Sequence, residues 1–438
     1  MINTEMPVNM PLTSSISSKR HLTIADCDAI DLAKEFGTPL WVLDEETIRE
    51  NCRKYKKEFQ KHHTDAEVVY ASKALSNTAV LQIVTSEGLG IDVVSGGELY
   101  TAKMAKVAPE KIYFHGNNKS ASELEEALDY GVGRIVVDNL QEIEKLTRIA
   151  TEKNKQVNIL LRVNPGIEAH THEFIQTGKV DSKFGFSKEV LADIVQKVQG
   201  IPCLQFCGLH VHIGSQIQET KAFLLTIEEI LDTWSLVRRK TKAELKELNL
   251  GGGIGIEYLP TELSPQIEHF ARDITKTLEY KIKELKIPKP KLIIEPGRSI
   301  IGKAGITLYT VGTIKDIPEV RKYVCVDGGM ADNPRPITYG AAYDAVIANK
   351  ILEPKNDVVT IAGKFCESGD ILIKNFHLQK AEEGDILAVF STGAYNYSMS
   401  SNYNRFVKPA MILVNKGKAK VILKRENYED LVRNDLPL

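Results

Sequence analysis

Lys291–Arg298 reads KLIIEPGR, a short apolar run that stops on a carboxylate, a proline, a glycine and an arginine. Seven earlier stretches are built the same way: Glu67–Lys73 (EVVYASK), Gly90–Gly96 (GIDVVSG), Lys111–Asn117 (KIYFHGN), Arg134–Asn139 (RIVVDN), Asn158–Asn164 (NILLRVN), Cys207–Ser215 (CGLHVHIGS) and Glu247–Gly253 (ELNLGGG). Between most of them lies a segment of helical period, such as Ser120–Tyr130 or Lys188–Val198. Strand and helix alternating eight times predict a (β/α)8 TIM barrel. Such barrels gather their chemistry at the carboxyl ends of the strands, which is where the charged and polar residues of these runs fall. The chain reads as an enzyme.

Working outward, Thr38–Asp44 (TPLWVLD) predicts a strand ahead of the barrel, followed by a helix around Glu45–His62. After Arg298 the texture changes to spaced strands with Gly-Asp turns at Gly369-Asp370 and Gly384-Asp385. The runs Ile306–Ile314, Tyr323–Val326, Val358–Ala362, Ile371–Ile373, Ile386–Phe390 and Met411–Leu423 predict an antiparallel β domain, a sandwich or small barrel. Thr23–Asp44 is expected to join it. The domains then run 45–304 for the barrel, with 23–44 and 305–438 forming the β domain. Residues 1–22 are polar and read as a frayed leader with no signal-peptide core. Glu426–Asn434 suggests a short helix. Pro165–Phe186, a polar connection of more than twenty residues, is expected to cover the barrel mouth.

The 438 residues leave room for a barrel and a smaller partner. A formal charge of −2 carries no footprint for nucleic acid or anionic membrane. No apolar run approaches the ~20 residues of a membrane helix. Six cysteines lie scattered without C-x-x-C pairs, which suits free thiols in a reducing cytoplasm better than disulfides or a zinc site.

Four features carry chemistry. Lys73 ends the first barrel strand; an isolated strand-end lysine is ordinarily a solvated cation, but one turned into the mouth can form a Schiff base. His210 and His212 flank Val211 and face one side of the strand. That pair suits a metal, yet the strand ends supply no obvious set of carboxylates to complete a shell, so His212 reads better as the cover of a flat ring. Gly251, Gly252 and Gly253 bare the backbone N–H groups for a phosphate, without the spacing of a dinucleotide or P-loop motif. Glu295 at the eighth strand end is costly to bury alone. It either pairs internally with an arginine or holds a ring nitrogen protonated. A lysine for an aldehyde, an imidazole for a ring face, glycines for a phosphate and a carboxylate for a ring nitrogen together describe pyridoxal 5'-phosphate.

The chain also resembles the fold-type III pyridoxal-phosphate decarboxylases, most closely their diaminopimelate-acting branch, from about Pro39 to Pro409. The resemblance is carried by Gly90–Leu99 (GIDVVSGGEL), Phe114–Ser120 (FHGNNKS), Gly208–Ile217 (GLHVHIGSQI), Cys366–Asp370 (CESGD) and Gly393–Asn404 (GAYNYSMSSNYN). It implies that Lys73 bonds the cofactor, His212 stacks on its ring and Glu295 meets the ring nitrogen. Ser215, Gly251–Gly253, Gly297, Arg298 and Tyr395 would hold the phosphate or lie beside it. Asp92 and Arg162 would support the lysine and the glutamate. Arg335 and Tyr339, in Asn333–Tyr339 (NPRPITY), would grip the far carboxylate of the substrate, with Arg298 and Tyr395 also near it. Glu367 would take the far ammonium, and Cys366 would return a proton. The resemblance further implies a homodimer whose subunits share active sites through Cys366 and Glu367. The chain departs from the family pattern at Gly363-Lys364-Phe365, where a proline commonly precedes the cysteine by two, and at Phe174, where a tyrosine is more usual.

Physical chemistry supports the substrate reading, because a guanidinium clamps a carboxylate through two parallel charge-assisted hydrogen bonds. A surface arginine between prolines is the plain alternative. The activity expected is decarboxylation of meso-2,6-diaminopimelate to L-lysine. Its rivals are a decarboxylase for another basic amino acid or carboxynorspermidine, an inactive binding relative, and a metal-dependent barrel hydrolase.

Overall fold

The computed structural model describes residues 7–166, 182–262 and 266–438. The chain divides into two compact units, one of Asn51–Gly255 with Ser264–Gly297, the other of Met1–Glu50, Ile256–Leu263 and Arg298–Leu438.

The first unit is a closed barrel of eight parallel strands. They are β1 (Ala66–Ala71), β2 (Gly90–Val93), β3 (Ile112–Phe114), β4 (Arg134–Val137), β5 (Val157–Arg162), β6 (Leu204–His210), β7 (Glu247–Asn249) and β8 (Lys291–Ile294). All eight runs anticipated from sequence are strands. β8 closes on β1 through Leu292–Ala66 and Ile294–Val68. The strands are buried along nearly their whole length, as a sheet covered by helices on one face and filled by side chains on the other requires. Val69, Tyr113, Val136, Leu160, Cys207 and Ile293 pack into one interior cluster, so the barrel is a filled core and not a pore.

Short polar caps turn four of the strand ends into the next helix. Asn77, Ser95, Ser120 and Asn139 accept a backbone N–H from the first helical turn, and Ser120 completes a capping box with Glu123. Because the caps stop the chain within a few residues of the strand end, the polar side chains there stay at the mouth.

The second unit holds a sheet in the order Ile371–Leu378, Asp357–Ala362, Arg321–Val326, Gly305–Ile317, Leu40–Asp44, Ala410–Asn415 and Lys418–Leu423. Gly305–Ile317 also pairs with Ile386–Val389, which pairs with Ala345–Ile347. Leu40–Asp44 is an interior strand of this sheet, while Leu22–Ile24 and Cys27–Asp28 pair in a separate three-stranded sheet. Most pairings are antiparallel, but Leu40–Asp44 runs parallel to Ala410–Asn415, and Arg321–Val326 parallel to Asp357–Ala362. Two apolar cores fill the unit, one around Leu22, Leu40, Leu308 and Ile412, the other around Tyr309, Val324, Tyr343 and Leu387.

Two local expectations need correction, and one helix was not anticipated. Residues 7–22 are not a frayed leader: Met10 is buried, and Ser14–Ile16 pairs antiparallel with Leu22–Ile24. Met411–Leu423 is a hairpin of two strands that turns through Gly417 at φ 72°. Ala29–Phe36, which gave no sequence signal, is a helix capped by Asp28. Most of the predicted mouth cover, with Phe174, lies outside the described residues. Among the described residues no helix is long and apolar enough to cross a membrane.

Candidate active site

Glu295 sits one residue beyond β8 and is almost fully buried. Its carboxylate accepts from Asn249 Nδ2 (2.6 Å), His115 Nε2 (2.8 Å) and His210 Nε2 (3.2 Å). Those three donors end β7, follow β3 and end β6, so three strand ends converge on one acid. Burial by itself would raise the Glu295 carboxyl, but His115 and His210 hold it well below the usual carboxylate range. Burial keeps His210 neutral, pushed down to about 3 despite Glu295 beside it. The arginine alternative for Glu295 therefore gives way to a box of imidazoles and an amide.

Asp92, in β2, lies 3.8 Å from His115 Nε2. Burial raises its pKa, with His115 opposing and the charge of Glu295 adding to the rise; Lys73 and Arg162 are also felt there. Lys73 itself stands on the single turn Ser72–Ala74 just past β1, and not on the strand. Ser72 anchors that turn by donating to Glu98 Oε2 (3.1 Å), which also accepts from Val94 N (2.8 Å). Arg162 ends β5, with Nε 3.9 Å from Asp138 Oδ1.

The triple glycine is held in place from three sides. Gly251 (φ 67°) and Gly253 (φ 112°) occupy backbone conformations that L side chains avoid. A Cβ on Gly252 would run into the Glu295 carbonyl oxygen, and one on Gly253 into that of Gly214. Gly251 N donates to Asn249 Oδ1 (2.8 Å), which ties the glycine turn to the amide that also binds Glu295. His212 lies against this turn, its Nδ1 2.9 Å from where a Gly251 Cβ would stand. Burial, then the charges of Lys73 and Arg162, hold His212 far below the ordinary imidazole value. A neutral imidazole is the form that packs on an aromatic face.

These observations fit pyridoxal phosphate on three counts: an ionised buried acid for the ring nitrogen, a neutral imidazole for the ring face, and a bare backbone turn that no side chain could fill. His115, His210 and Glu295 also make the cluster that could hold a metal ion, their ligating atoms all within 4.8 Å of one another. In this structure both Nε2 atoms lie within hydrogen-bond distance of the Glu295 carboxylate.

Ser215 and Gly297 also belong to the barrel unit, whereas the remaining predicted residues belong to the second unit. Arg298 and Arg335 are both buried. Arg298 Nη1 donates to Tyr258 Oη (2.5 Å), and its guanidinium lies 4.7 Å from the Tyr395 ring centroid. Arg335 stacks at 4.5 Å on the other partner of that pair, Tyr258, and donates from Nη1 to Tyr343 Oη (2.7 Å). No carboxylate pairs with Arg335 among the described residues; burial opposes its charge, and neighbouring Tyr258 and Tyr343 favour it. It is not the surface arginine that its prolines suggested. Tyr339, on the same short helix Arg335–Tyr339, is half-buried. Cys366 and Glu367 sit on an exposed turn. Its backbone is pinned by Cys366 N donating to Asn404 Oδ1 (2.8 Å) and Phe365 N donating to Asp370 Oδ2 (2.8 Å).

Sequence reasoning missed His115, Asn249, Tyr258 and Tyr343 as site residues. The first two carried a usable signal, since each is a polar residue at the end of a run already read as a barrel strand. Tyr258 and Tyr343 carried none.

The chain matches the family model for the pyridoxal-binding domain of pyridoxal-dependent decarboxylases over residues 45–302. It is 46% identical over 430 residues to a diaminopimelate decarboxylase of Halalkalibacterium halodurans, covering 97% of this chain and 98% of that one. It is also 46% identical to the diaminopimelate decarboxylase of Bacillus subtilis, with 97% of each covered. The crystal structure of the M. jannaschii diaminopimelate decarboxylase in complex with L-lysine superposes with a TM-score of 0.92 at 36% identity, with 99% of both chains covered.

Proposed function

Because this chain belongs to the diaminopimelate decarboxylases, within the pyridoxal-dependent decarboxylases, we propose a role for each polar group described above. The protein is a carboxy-lyase that converts meso-2,6-diaminopimelate to L-lysine and carbon dioxide, the last step of lysine biosynthesis. Bound pyridoxal 5'-phosphate supplies an aldehyde for the substrate amine and a ring that takes up the electron pair left when carbon dioxide departs.

Lys73 would hold the cofactor at its aldehyde through its amine. Glu295, ionised between His115, His210 and Asn249, holds a proton at the ring nitrogen. His212 covers one ring face. Ser215, the backbone of Gly251–Gly253, Gly297, Arg298 and Tyr395 bind the phosphate, and Asp92 and Arg162 brace the charges around Lys73 and Glu295. Cys366 returns a proton to the α-carbon, for which a thiol is suited because it titrates close enough to neutrality to give and recover one. Arg335 and Tyr339 take the far carboxylate, with Arg298 and Tyr395 near it, and Glu367 takes the far ammonium. Family membership supports a homodimer in which Cys366 and Glu367 serve the partner's lysine, and their exposure on a turn suits donation to a second chain.

The observation that carries the cofactor reading is Glu295, a buried acid held well below the usual carboxylate range while it accepts from His115, His210 and Asn249. The test pairs spectrum and selectivity. Purified protein should absorb in the visible, shift on adding diaminopimelate, and turn it over in preference to ornithine or arginine. Lys73→Ala should lose the visible band of the bound cofactor; a band that persists unchanged refutes the lysine assignment.

A further inference from the structure

The hydrogen-bond relay that starts on Arg335 ends on a buried amide with nothing to bind. Arg335 Nη1 donates to Tyr343 Oη (2.7 Å), and that hydroxyl donates to Asn396 Oδ1 (3.3 Å). The hydroxyl proton fixes the orientation of the amide. With the guanidinium donating to the phenolic oxygen, the proton must go to the carbonyl end of Asn396, so the NH2 end faces away. Asn396 is fully buried, and its Nδ2 has no hydrogen-bond partner. Asn333, two residues before Arg335 and equally buried, has neither side-chain polar atom satisfied. Buried donors are expensive to leave unpaired, and a native chain keeps them for a ligand or an ordered water.

Two features make a ligand the better account at Asn396. Arg335 is a buried cation that no carboxylate neutralises among the described residues. Tyr343 does not neutralise it either, since burial pushes that phenol up to about 12 even with Arg335 opposing. The backbone immediately before Asn396 is also strained: Tyr395 is held at φ 61°, a left-handed conformation that a bulky side chain adopts only when its surroundings impose it.

We infer that Asn396 is a specificity-determining residue, whose amide NH2 donates to the same substrate carboxylate that Arg335 binds, with Tyr343 fixing the angle between them. The inference rests on the diaminopimelate reading and deepens it. A carboxylate offers enough lone pairs for both a guanidinium edge and an amide. A substrate ending in an amine offers none, and would leave two buried donors unpaired beside a like charge. Selection for the dicarboxylate therefore comes from a relay and not from the arginine alone.

The experiment uses the cofactor-loaded enzyme, with pimelate as a non-reacting dicarboxylate probe. For Asn396→Leu the KM for diaminopimelate should rise roughly tenfold to a hundredfold while kcat falls less than about threefold. The dissociation constant of pimelate should rise by a similar factor, and the visible spectrum of the bound cofactor should match that of the unaltered enzyme. Tyr343→Phe should move KM and pimelate binding in the same direction. A merely structural residue would lower Tm and kcat yet leave pimelate binding unchanged, and that result overturns the inference. If Asn396→Leu does not fold, Tyr343→Phe decides, with unchanged pimelate affinity again overturning it. Failure of the unaltered enzyme to turn over diaminopimelate would sink the proposed function separately, since pimelate binding is read without turnover.

Discussion

His210 shows how one side chain ties the mouth chemistry to the stability of the barrel. Burial holds it neutral down to about pH 3, whereas an unfolded histidine takes a proton near 6.5. Between those values the unfolded chain binds a proton that the folded chain refuses, so this residue makes stability rise with pH across that window. Its contribution is complete above about 6.5 and is lost progressively as pH falls towards 3, on the order of a few kcal/mol at most. Glu295, whose carboxyl is depressed by His115 and His210, adds acid sensitivity below the ordinary carboxylate range with the same sign. His210→Gln keeps a donor for Glu295 but removes the titration. Thermal melts between pH 4 and 7 should therefore show a shallower loss of Tm with acid in the variant than in the unaltered protein. Parallel curves would mean that His210 does not govern this range.

At the scale of elements, the glycine turn after β7 does two jobs: it clears space for a phosphate and lets β7 and β8 approach. Gly252 has an ordinary backbone conformation, so the cost of a side chain there is steric, against the backbone oxygen of Glu295. Gly252→Ala should destabilise by about 1–3 kcal/mol through forced displacement of the Glu295 backbone, and should weaken cofactor retention along with it. Gly97→Ala is the control. That glycine is exposed in the helix Gly96–Met104 and its Cβ would meet only Ser95 Oγ at 3.8 Å, so alanine should be neutral or slightly stabilising. Melting curves and cofactor titration of both variants check the contrast. The same contrast explains what was legible beforehand. The barrel could be read because eight strands buried along most of their length must be short apolar runs, and because a mouth that does chemistry must end them in Lys73, His212, Gly251 or Glu295. The β unit was legible strand by strand but not in its pairings: nothing local in Leu40–Asp44 says that one neighbour, Gly305–Leu308, runs antiparallel and the other, Ala410–Val414, parallel. Tyr258 and Tyr343 were invisible for a related reason. An aromatic residue in a loop looks like core until the fold brings a guanidinium to it.

At the scale of the whole molecule, the β unit is assembled from distant parts of the chain. Asn9 Nδ2 donates to the Tyr258 carbonyl (2.9 Å), and Ser391 Oγ donates to the Asn9 carbonyl (2.9 Å), so the start of the chain braces the residue on which Arg335 stacks. In contrast to that buried framework, the turn at Cys366–Ser368 has all three residues exposed. A proton donor left in water on its own chain would be poorly placed for a reaction that must exclude water, whereas a turn presented to a second copy of the chain would be covered on assembly. Two altered proteins test this. Lys73→Ala lacks the cofactor lysine and Cys366→Ala lacks the thiol; each alone should be severely impaired. If the sites are shared, unfolding and refolding an equal mixture gives mixed dimers in about half of the population, each with one site that has both its lysine and the partner's thiol. The mixture should then recover about a quarter of the unaltered activity, while mixing without subunit exchange recovers none. No recovery from a refolded mixture that sediments as a dimer would assign Cys366 to the same chain as the lysine it serves.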